Sequence, residues 1–288
     1  MLTPVANCAI IAKKCVAKGN ANGESMKYVL VTGAYGGMGY QTVKKFASCG
    51  YTVFALDKTV GDAEPNVVPI QADVSDPQQI EQAFKVVQSA TDSLFAIVHF
   101  AGVYMMHSLV EMPTEQWHKI FQINVFGVFY VNKTFLPLLG RGSKILVTTS
   151  ELAPLDPLPF TGIYAITKSA LDKYAFSLRM ELQLLEIDVC VLRAGAVNTG
   201  MLGQSTTALD RFVENTQIYQ CNAEKFKQIV GSVEAKNIPP QKVANKVYKI
   251  LHAKKPKFAN SINRNKLLLL LNALPHKMQF WAIRKILK

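Results

Sequence analysis

The chain has 288 residues, 49% apolar and 18% charged, and this balance predicts a globular fold with one large core or two small ones. No apolar run approaches the roughly 18 to 20 residues that span a bilayer. The five cysteines form no C-x-x-C pair and favour a reducing cytosol over a disulfide framework, and the five histidines lack metal-ligand spacing, so we expect no metal.

The net charge of +12 lies in the C-terminal part of the chain. From Lys236 onward there are 13 Lys or Arg and no Asp or Glu, so the remainder holds 19 basic and 20 acidic residues. A solvated surface, an anionic membrane surface and nucleic acid are the three alternatives for such a segment. Nucleic acid is the least favoured of the three.

The N-terminal residues 1–26 differ from the rest of the chain. A mildly apolar stretch at 5–12 precedes Lys13 and Lys14, which is the reverse of the order in a secretory signal. We therefore expect a flexible, dispensable extension, followed by a catalytic domain at 27–262 and a basic amphipathic tail at 263–288.

Short apolar runs alternate with helix-length segments and predict an α/β fold, a Rossmann-type doubly wound parallel sheet flanked by helices. The predicted strands are 28–31, 52–56, 67–71, 94–98, 144–148 and 188–192. The predicted helices between them are 39–49, 77–89, 114–139 and 163–185. After Gly200 we expect helices within 203–235 and at 240–253, an edge strand at 257–262, and a helical tail broken near Pro275.

The first strand leads into a glycine-rich turn, Thr32-Gly33-Ala34-Tyr35-Gly36-Gly37-Met38-Gly39, and then into a helix-forming run. Glycine at Gly33, Gly37 and Gly39 lets the backbone approach a pyrophosphate, which the positive end of the helix dipole attracts. The turn, with Thr32, Tyr35 and Met38, therefore predicts a dinucleotide site.

Asp57 ends the second strand, 24 residues after Gly33. Its carboxylate can accept hydrogen bonds from the adenosine ribose and would repel a 2′-phosphate, which favours NAD over NADP. The adjacent Lys58 weakens that preference, and an ordinary turn residue is the alternative reading of Asp57.

Two further strand ends are predicted to border the cofactor. Asp73 and Val74 follow the third strand, where the adenine is expected. Ala101 and Gly102 follow the fourth, where small residues let the cofactor lie against the backbone.

Tyr164 and Lys168 lie four residues apart on a predicted helix and so share one face. An ammonium beside a phenol is expected to lower the phenol pKa, so Tyr164 can exchange a proton with an alcohol or carbonyl while hydride moves. Ser150, at the end of the fifth strand, can hold the substrate oxygen, and Asn124 can position a water that carries the proton outward.

The same spacing occurs at Tyr40 and Lys44, just after the glycine turn. There it is interpreted as surface or packing structure, because only Tyr164 has a polar strand end upstream.

With these motifs, the chain resembles the classical short-chain dehydrogenase/reductase family over residues 27–260. The motifs are T-G-x-x-x-G-x-G at 32–39, N-x-x-G at 124–127, Ser150, and Y-x-x-x-K at 164–168. The resemblance implies a Rossmann fold and a tetrad of Asn124, Ser150, Tyr164 and Lys168, with Lys168 also binding the nicotinamide ribose. It further implies a homo-oligomer.

The family's P-G-x-x-x-T segment is Ala194 to Thr199 here, so the resemblance places Gly195, Val197 and Thr199 against the cofactor, with Thr199 holding the carboxamide. The family's N-N-A-G is His99-Phe100-Ala101-Gly102, which leaves open the sheet-bracing contact that the asparagine normally makes.

Apolar residues flank the predicted site and suit a lipid-like substrate, although they could also simply pack the loops. They are Tyr104, Met105, Leu152, Leu155, Leu158, Phe160, Met201 and Leu202. The last helix, 276–288, is amphipathic and basic, and could lie on a membrane, cover the substrate mouth or contact a partner subunit.

The sequence thus predicts an NAD(P)-dependent oxidoreductase that interconverts a hydrophobic alcohol, of steroid, retinoid or fatty-acyl type, and its carbonyl. Location is expected in the cytoplasm, with peripheral membrane contact through the tail as a further prediction. Alternatives are a non-catalytic NAD(P)-binding regulator, or a membrane-associated scaffold that uses the basic tail.

Overall fold

The computed structural model describes residues 27–233 and 237–288, so the predicted N-terminal extension lies outside the described residues. Within these ranges, parallel strands form one sheet in the order β3-β2-β1-β4-β5-β6-β7. The strands are β1 Lys27–Thr32, β2 Tyr51–Asp57, β3 Val67–Gln71, β4 Ala96–His99, β5 Lys144–Ser150, β6 Asp188–Ala194 and β7 Ala259–Ile262.

Helices cover both faces of the sheet and continue beyond its last strand. They are α1 Gly37–Ser48, α2 Pro77–Gln88, α3 Thr114–Phe121, α4 Gly127–Phe135, α5 Gly162–Leu182, α6 Gly200–Asn215, α7 Gln220–Val233, α8 Pro240–Leu251, α9 Lys266–Asn272 and α10 His276–Leu287. None of the described helices has the length and apolar character needed to cross a membrane.

Alternate residues of each central strand feed opposite cores, which is why the strands read as unbroken apolar runs. In β1, Val29 and Val31 pack with α1 and α8, whereas Leu30 packs with α2 and α4. All of these strand side chains are fully buried. The sheet is therefore enclosed on both faces, as predicted.

The predicted helix at 114–139 is confirmed in extent, since the chain is helical from Thr114 to Leu138, but its hydrogen-bond type changes along its length. A π-helical turn, Gln122–Phe126, separates α3 from α4, and a 3-10 turn, Leu136–Leu138, follows α4. Asn124 lies in this π turn, and its side chain hydrogen-bonds to the backbone of Val103. Sequence periodicity does not distinguish such a π turn from a regular α-helix.

Strand ends also differ from the prediction, with consequences for the site. β5 and β6 each run two residues beyond their predicted ends, to Ser150 and Ala194. β4 begins at Ala96 rather than at residue 94, because the Leu94 amide bonds to the Leu138 carbonyl instead of the sheet. The sheet order reverses between β1 and β4, and the carboxyl ends of these strands and β5 share one edge, where α/β sheets bind ligands.

The tail folds back against the body. Pro275 separates α9 from α10, as predicted, and the α10 residues Gln279 and Leu287 are buried. Asn222 of α7 donates a hydrogen bond to the Leu287 carbonyl at 2.8 Å. The C-terminal helices therefore form part of the wall above the carboxyl edge of the sheet.

Candidate active site

The glycine-rich turn between β1 and α1 is shaped by close backbone contacts. Gly33 has a φ of +64°, and a Cβ there would lie 2.5 Å from the Ala101 nitrogen. A Cβ on Gly37 would lie 2.6 Å from Thr199 Cγ2. The turn thus tolerates only glycine at these two positions, and it brings together three segments that the sequence predicted to border the cofactor.

Among the described residues, no side chain caps the N-terminus of α1, and its first turn holds no acidic residue. Its free amide groups and positive dipole end can therefore receive an anion. Together with the glycine turn, this end of the helix fits the pyrophosphate of a dinucleotide.

The carboxylates at the ends of β2 and β3 differ in what they bind. Asp57 accepts a hydrogen bond from the Tyr35 amide at 2.9 Å, and the Tyr35 ring lies against Gly61. Asp73 is bound by Ser75 and by Lys58 Nζ, which lies 2.9 Å from Asp73 Oδ2. These contacts lower the Asp73 pKa, although burial works against them. The Lys58 charge is thus directed at Asp73, whereas Asp57 keeps lone pairs for a ribose.

The remaining predicted cofactor residues lie around the same cleft. The Ala101 amide donates to Thr32 Oγ1 at 3.4 Å, and Met38 and Gly102 line the pocket beside the glycine turn. The Val74 side chain instead packs in the core against Gly127, so its backbone alone is available to an adenine.

Tyr164 stands near the start of α5 and is buried, with its ring 4.7 Å from that of Tyr104. Ser150 lies near enough to the Tyr164 hydroxyl to lower its pKa, and Ser150 Oγ accepts the Leu152 amide at 3.2 Å. Because the Ser150 oxygen accepts from Leu152, its proton is available to the Tyr164 oxygen. The structure thus brings the predicted serine and tyrosine together.

Lys168 lies one turn further along α5, with Nζ 5.7 Å from the centre of the Tyr164 ring. Nζ donates to the Thr148 carbonyl at 3.2 Å, and burial lowers the pKa of the ammonium to about 8. The Thr148 hydroxyl lines the same pocket and, within the described residues, has no hydrogen-bond partner. A buried polar group without a partner in this pocket suits a polar ligand such as a ribose.

Asn124 reaches the site from the π-helical turn. Its Oδ1 accepts the Val103 amide at 2.8 Å, and its Nδ2 donates to Val103 O and to Thr167 Oγ1. A Cβ on Gly102 would lie 3.2 Å from Asn124 Oδ1 and 3.6 Å from Lys168 Nζ. Asn124 and Lys168 therefore border the same small space, and the water relay through Asn124 stays a prediction.

The expected lowering of the Tyr164 pKa is wrong for the protein without ligands. Burial raises the pKa of the Tyr164 hydroxyl to about 12, and the nearby Ser150 hydroxyl only partly offsets this. Removing a phenolate from water costs more than the neighbouring ammonium returns at this distance. At neutral pH the Tyr164 hydroxyl is thus protonated in the protein without ligands.

The loop after β6 closes the cofactor side of the pocket. The Gly195 amide donates to Ile262 O at 3.0 Å, Val197 is buried, and Thr199 precedes the first residue of α6. Gly195, Val197 and Thr199 all line the pocket.

A cavity of about 490 Å³ opens beside Tyr164. Of the substrate residues predicted from sequence, Tyr104, Leu152 and Leu158 line it. Phe160 packs instead against Phe212 and Phe226, and the side chains of Met201 and Leu202 lie outside the described residues. α9 and α10 supply the far wall through Leu267, Leu268, Leu271, Ile283, Ile286 and Leu287. A cover over the substrate mouth was one of the alternatives for the helix at 276–288, whereas the part played by α9 was not predicted.

The second Tyr-x-x-x-Lys pair has a different environment. Tyr40 donates to Glu64 Oε1 at 2.9 Å, and Lys44 Nζ lies 4.4 Å above the Tyr40 ring. Its interpretation as surface structure is confirmed.

Residues 27–210 match the family model described as short chain dehydrogenase. The chain belongs to this family. Estradiol 17-beta-dehydrogenase 2 of Mus musculus is 36% identical over 189 residues, which cover 62% of this chain and 50% of that protein. The chain thus spans about half the length of that relative.

Other similar proteins cover more of the chain. A probable short-chain type dehydrogenase/reductase, VdlC, of Helicobacter pylori is 27% identical over 256 residues, which cover 85% of this chain and 92% of that protein. A short chain dehydrogenase from Burkholderia cenocepacia, solved in complex with NADP, shares 18% identity at a TM-score of 0.69, with coverage of 90% and 98%. The last comparison shows a shared fold.

At the position where the resemblance implies a bracing asparagine, this chain has His99, which joins a hydrogen-bond network. His99 is buried, its Nε2 lies 2.8 Å from Asn132 Oδ1, and Asn132 donates to the Tyr174 hydroxyl. Burial lowers the His99 pKa to about 4, so the ring is neutral at physiological pH. His99 therefore ties β4 to α4, and through Asn132 to α5, which carries Tyr164.

Proposed function

We propose that this protein is an NAD-dependent oxidoreductase that interconverts a hydrophobic alcohol and its carbonyl. The observation that carries the proposal is that Ser150, Tyr164 and Lys168 line one apolar cavity together, with Lys168 Nζ 5.7 Å from the centre of the Tyr164 ring. The cavity also borders the glycine turn through Met38 and Thr199, so one ligand can reach both sets of residues.

Ser150, Tyr164 and Lys168 each have a defined role in this proposal. Ser150 holds the substrate oxygen, and Tyr164 gives that oxygen a proton in the reductive direction or removes one in the oxidative direction. The Lys168 ammonium stabilises the negative charge that the tyrosine oxygen gains. A nicotinamide dinucleotide, when bound, supplies the hydride acceptor or donor.

The substrate class is proposed from the walls of the cavity. Its lining is mostly apolar, and its volume suits a ligand of drug-like size. A steroid, a retinoid or a fatty-acyl derivative would bury its hydrocarbon part against α9 and α10. The similarity to estradiol 17-beta-dehydrogenase 2 supports the steroid-like end of this range.

A screen of hydrophobic secondary alcohols and ketones with NAD and NADP tests the proposal. We expect turnover, measured as reduced-cofactor absorbance, to be higher with NAD, because Asp57 would repel a 2′-phosphate and Lys58 is occupied by Asp73. Binding of either dinucleotide without turnover of any alcohol or ketone would instead support a non-catalytic regulator.

Asp57→Ala is the matched variant for cofactor choice. It should lower the NAD to NADP ratio of kcat/KM by about tenfold or more, since one charge-assisted hydrogen bond is worth about 1.5 to 3 kcal/mol. Lys58→Ala should move the same ratio much less. If Asp57→Ala leaves the NAD to NADP ratio of kcat/KM unchanged, the Asp57 carboxylate does not bind the ribose.

The C-terminal helices are also proposed to contact an anionic membrane surface. Trp281 is 63% and Phe280 71% exposed, and they stand among the exposed cations Lys277, Arg284 and Lys285. Exposed aromatic rings interleaved with basic residues suit the boundary between headgroups and acyl chains.

Vesicle sedimentation checks this contact. Replacing Arg284 and Lys285 by glutamine should weaken binding to phosphatidylserine-containing vesicles by about thirtyfold, because each nearby cation contributes about 1 kcal/mol. Replacing the exposed Lys119 and Lys133 of α3 and α4 makes the same charge change elsewhere and should have little effect. Equal losses in the two variants would point to a general charge effect, and no binding by the wild type would rule the contact out.

A further inference from the structure

The loop between Ser150 and Tyr164 carries two acidic side chains, and both bind the C-terminal helices. Glu151 follows Ser150 directly and is 8% exposed. Its Oε2 accepts the Asn265 amide at 2.5 Å, and its own amide donates to Ala194 O at 3.0 Å. Glu151 thus joins the end of β5 to the segment that leads into α9.

The proposed chemistry gives Glu151 no role. Burial raises the pKa of its carboxyl, while the Asn265 amide and the nearby Arg264 act in the opposite direction. A buried carboxyl is costly unless it is hydrogen-bonded, so its contact with Asn265 accounts for its presence in the pocket wall.

Asn265 is the residue that starts α9. Its side-chain oxygen accepts the amides of Leu267 at 2.9 Å and Leu268 at 3.4 Å, which caps the helix. Because Glu151 binds the backbone of this capping residue, it fixes where α9 begins relative to Ser150. α9 and α10 together form the roof of the substrate cavity.

The second acidic residue makes a more exposed contact. The Asp156 backbone amide donates a hydrogen bond to Asn272 Oδ1 at 2.6 Å, and Asp156 Oδ2 lies 3.2 Å from His276 Nε2. The two side chains of this ion pair are largely exposed, so the pair contributes little. Asp156 therefore offers a comparison for Glu151 in the same loop.

We propose that Glu151 is a positioning residue that fastens α9 over the substrate cavity, and that the roof it fixes makes the enzyme selective for long hydrophobic substrates. This inference rests on the proposed function, since it concerns the selectivity of the same site. A short alcohol needs only the inner end near Tyr164, whereas a long one must also bury its chain against α9 and α10.

Substitutions at Glu151 separate its hydrogen bond from its charge. Glu151→Leu removes the acceptor at similar size, and should raise the KM for a secondary dodecanol about tenfold while changing kcat/KM for a secondary butanol by less than about threefold. Glu151→Gln keeps an acceptor and should restore the wild-type KM. Asp156→Asn should change the dodecanol KM by less than about threefold.

Hydrogen exchange at residues 265–272 gives a readout that does not depend on turnover. Glu151→Leu should accelerate exchange there, and Glu151→Gln should not. Unchanged exchange in Glu151→Leu, or an equal loss on both alcohols, would overturn the inference. If the wild type turns over neither of these alcohols nor any compound in the screen described above, the proposed function fails, and the exchange result alone decides whether Glu151 fastens the roof.

Discussion

Tyr164→Phe is expected to lower turnover by about two to four orders of magnitude while changing dinucleotide affinity by less than about threefold. The variant loses the oxygen that exchanges a proton with the substrate, and Ser150 loses the neighbouring hydroxyl. The ring itself stays in place, because its packing against Tyr104 does not involve the hydroxyl. Tyr164→Phe should therefore lose turnover without losing dinucleotide binding.

Tyr40→Phe is the matched control for this experiment. Tyr40 and Lys44 have the same sequence spacing as Tyr164 and Lys168, but the Tyr40 hydroxyl bonds to Glu64. Its loss should cost about 1 kcal/mol of stability and change turnover by less than about twofold. Stopped-flow or steady-state rates with a hydrophobic ketone, together with fluorescence titration of the cofactor, would compare the two variants.

If Tyr164→Phe turns over substrate at the wild-type rate, the phenol oxygen does not carry the proton, and the proposed role of the Ser150 and Tyr164 pair is wrong. If Tyr40→Phe is as inactive as Tyr164→Phe, the effect is one of folding rather than of chemistry.

The sheet could be read from the sequence because buried parallel strands leave a strong local signal. β1 is continuously apolar, since Leu30 and its neighbours Val29 and Val31 enter different cores. The order of the motifs, with a glycine turn first and Ser150 and Tyr164 later, then placed the predicted site residues at the carboxyl edge. Ser150 and Tyr164 meet there because β5 runs to Ser150 and α5 begins at Gly162.

Other features depend on contacts that sequence spacing does not encode. Asn124 lies in a π-helical turn and bonds to Val103, 21 residues earlier. The roof arises from contacts between the tail and the loop after Ser150, such as Asn265 with Glu151, 114 residues apart. The amphipathic pattern of residues 276–288 showed that one face is apolar, but it could not show which surface covers that face.

The pKa of Tyr164 shows a further limit of reading spacing alone. Four residues of separation on a helix place Lys168 beside Tyr164, but they do not reveal how deeply both groups are buried. Burial raises the pKa of the phenol and lowers that of the ammonium to about 8, so at neutral pH the tyrosine is neutral while the lysine still carries its charge.

Lys168→Met is expected to abolish turnover and to stabilise the fold. Burial lowers the Lys168 pKa from 10.5 to about 8, so holding the charged form inside the protein costs about 3 kcal/mol. Methionine fills similar space without a charge, although the Thr148 carbonyl loses its donor. The net gain in the free energy of unfolding at neutral pH should be on the order of 1 to 3 kcal/mol.

The stability difference between Lys168→Met and the wild type should depend on pH. Below about pH 8 the lysine is charged in both the folded and the unfolded protein, so the wild type bears the full penalty of burial. As pH rises from 8 toward 10.5, the folded protein releases the proton before the unfolded chain does, and the wild type gains stability. The stability difference between Lys168→Met and wild type should therefore shrink across this range, as urea unfolding at several pH values would measure. If Lys168→Met is less stable than the wild type at neutral pH, the Lys168 ammonium stabilises the fold through its contacts and its burial is not a net cost. If the stability difference stays constant to pH 10.5, the pKa of Lys168 is not lowered.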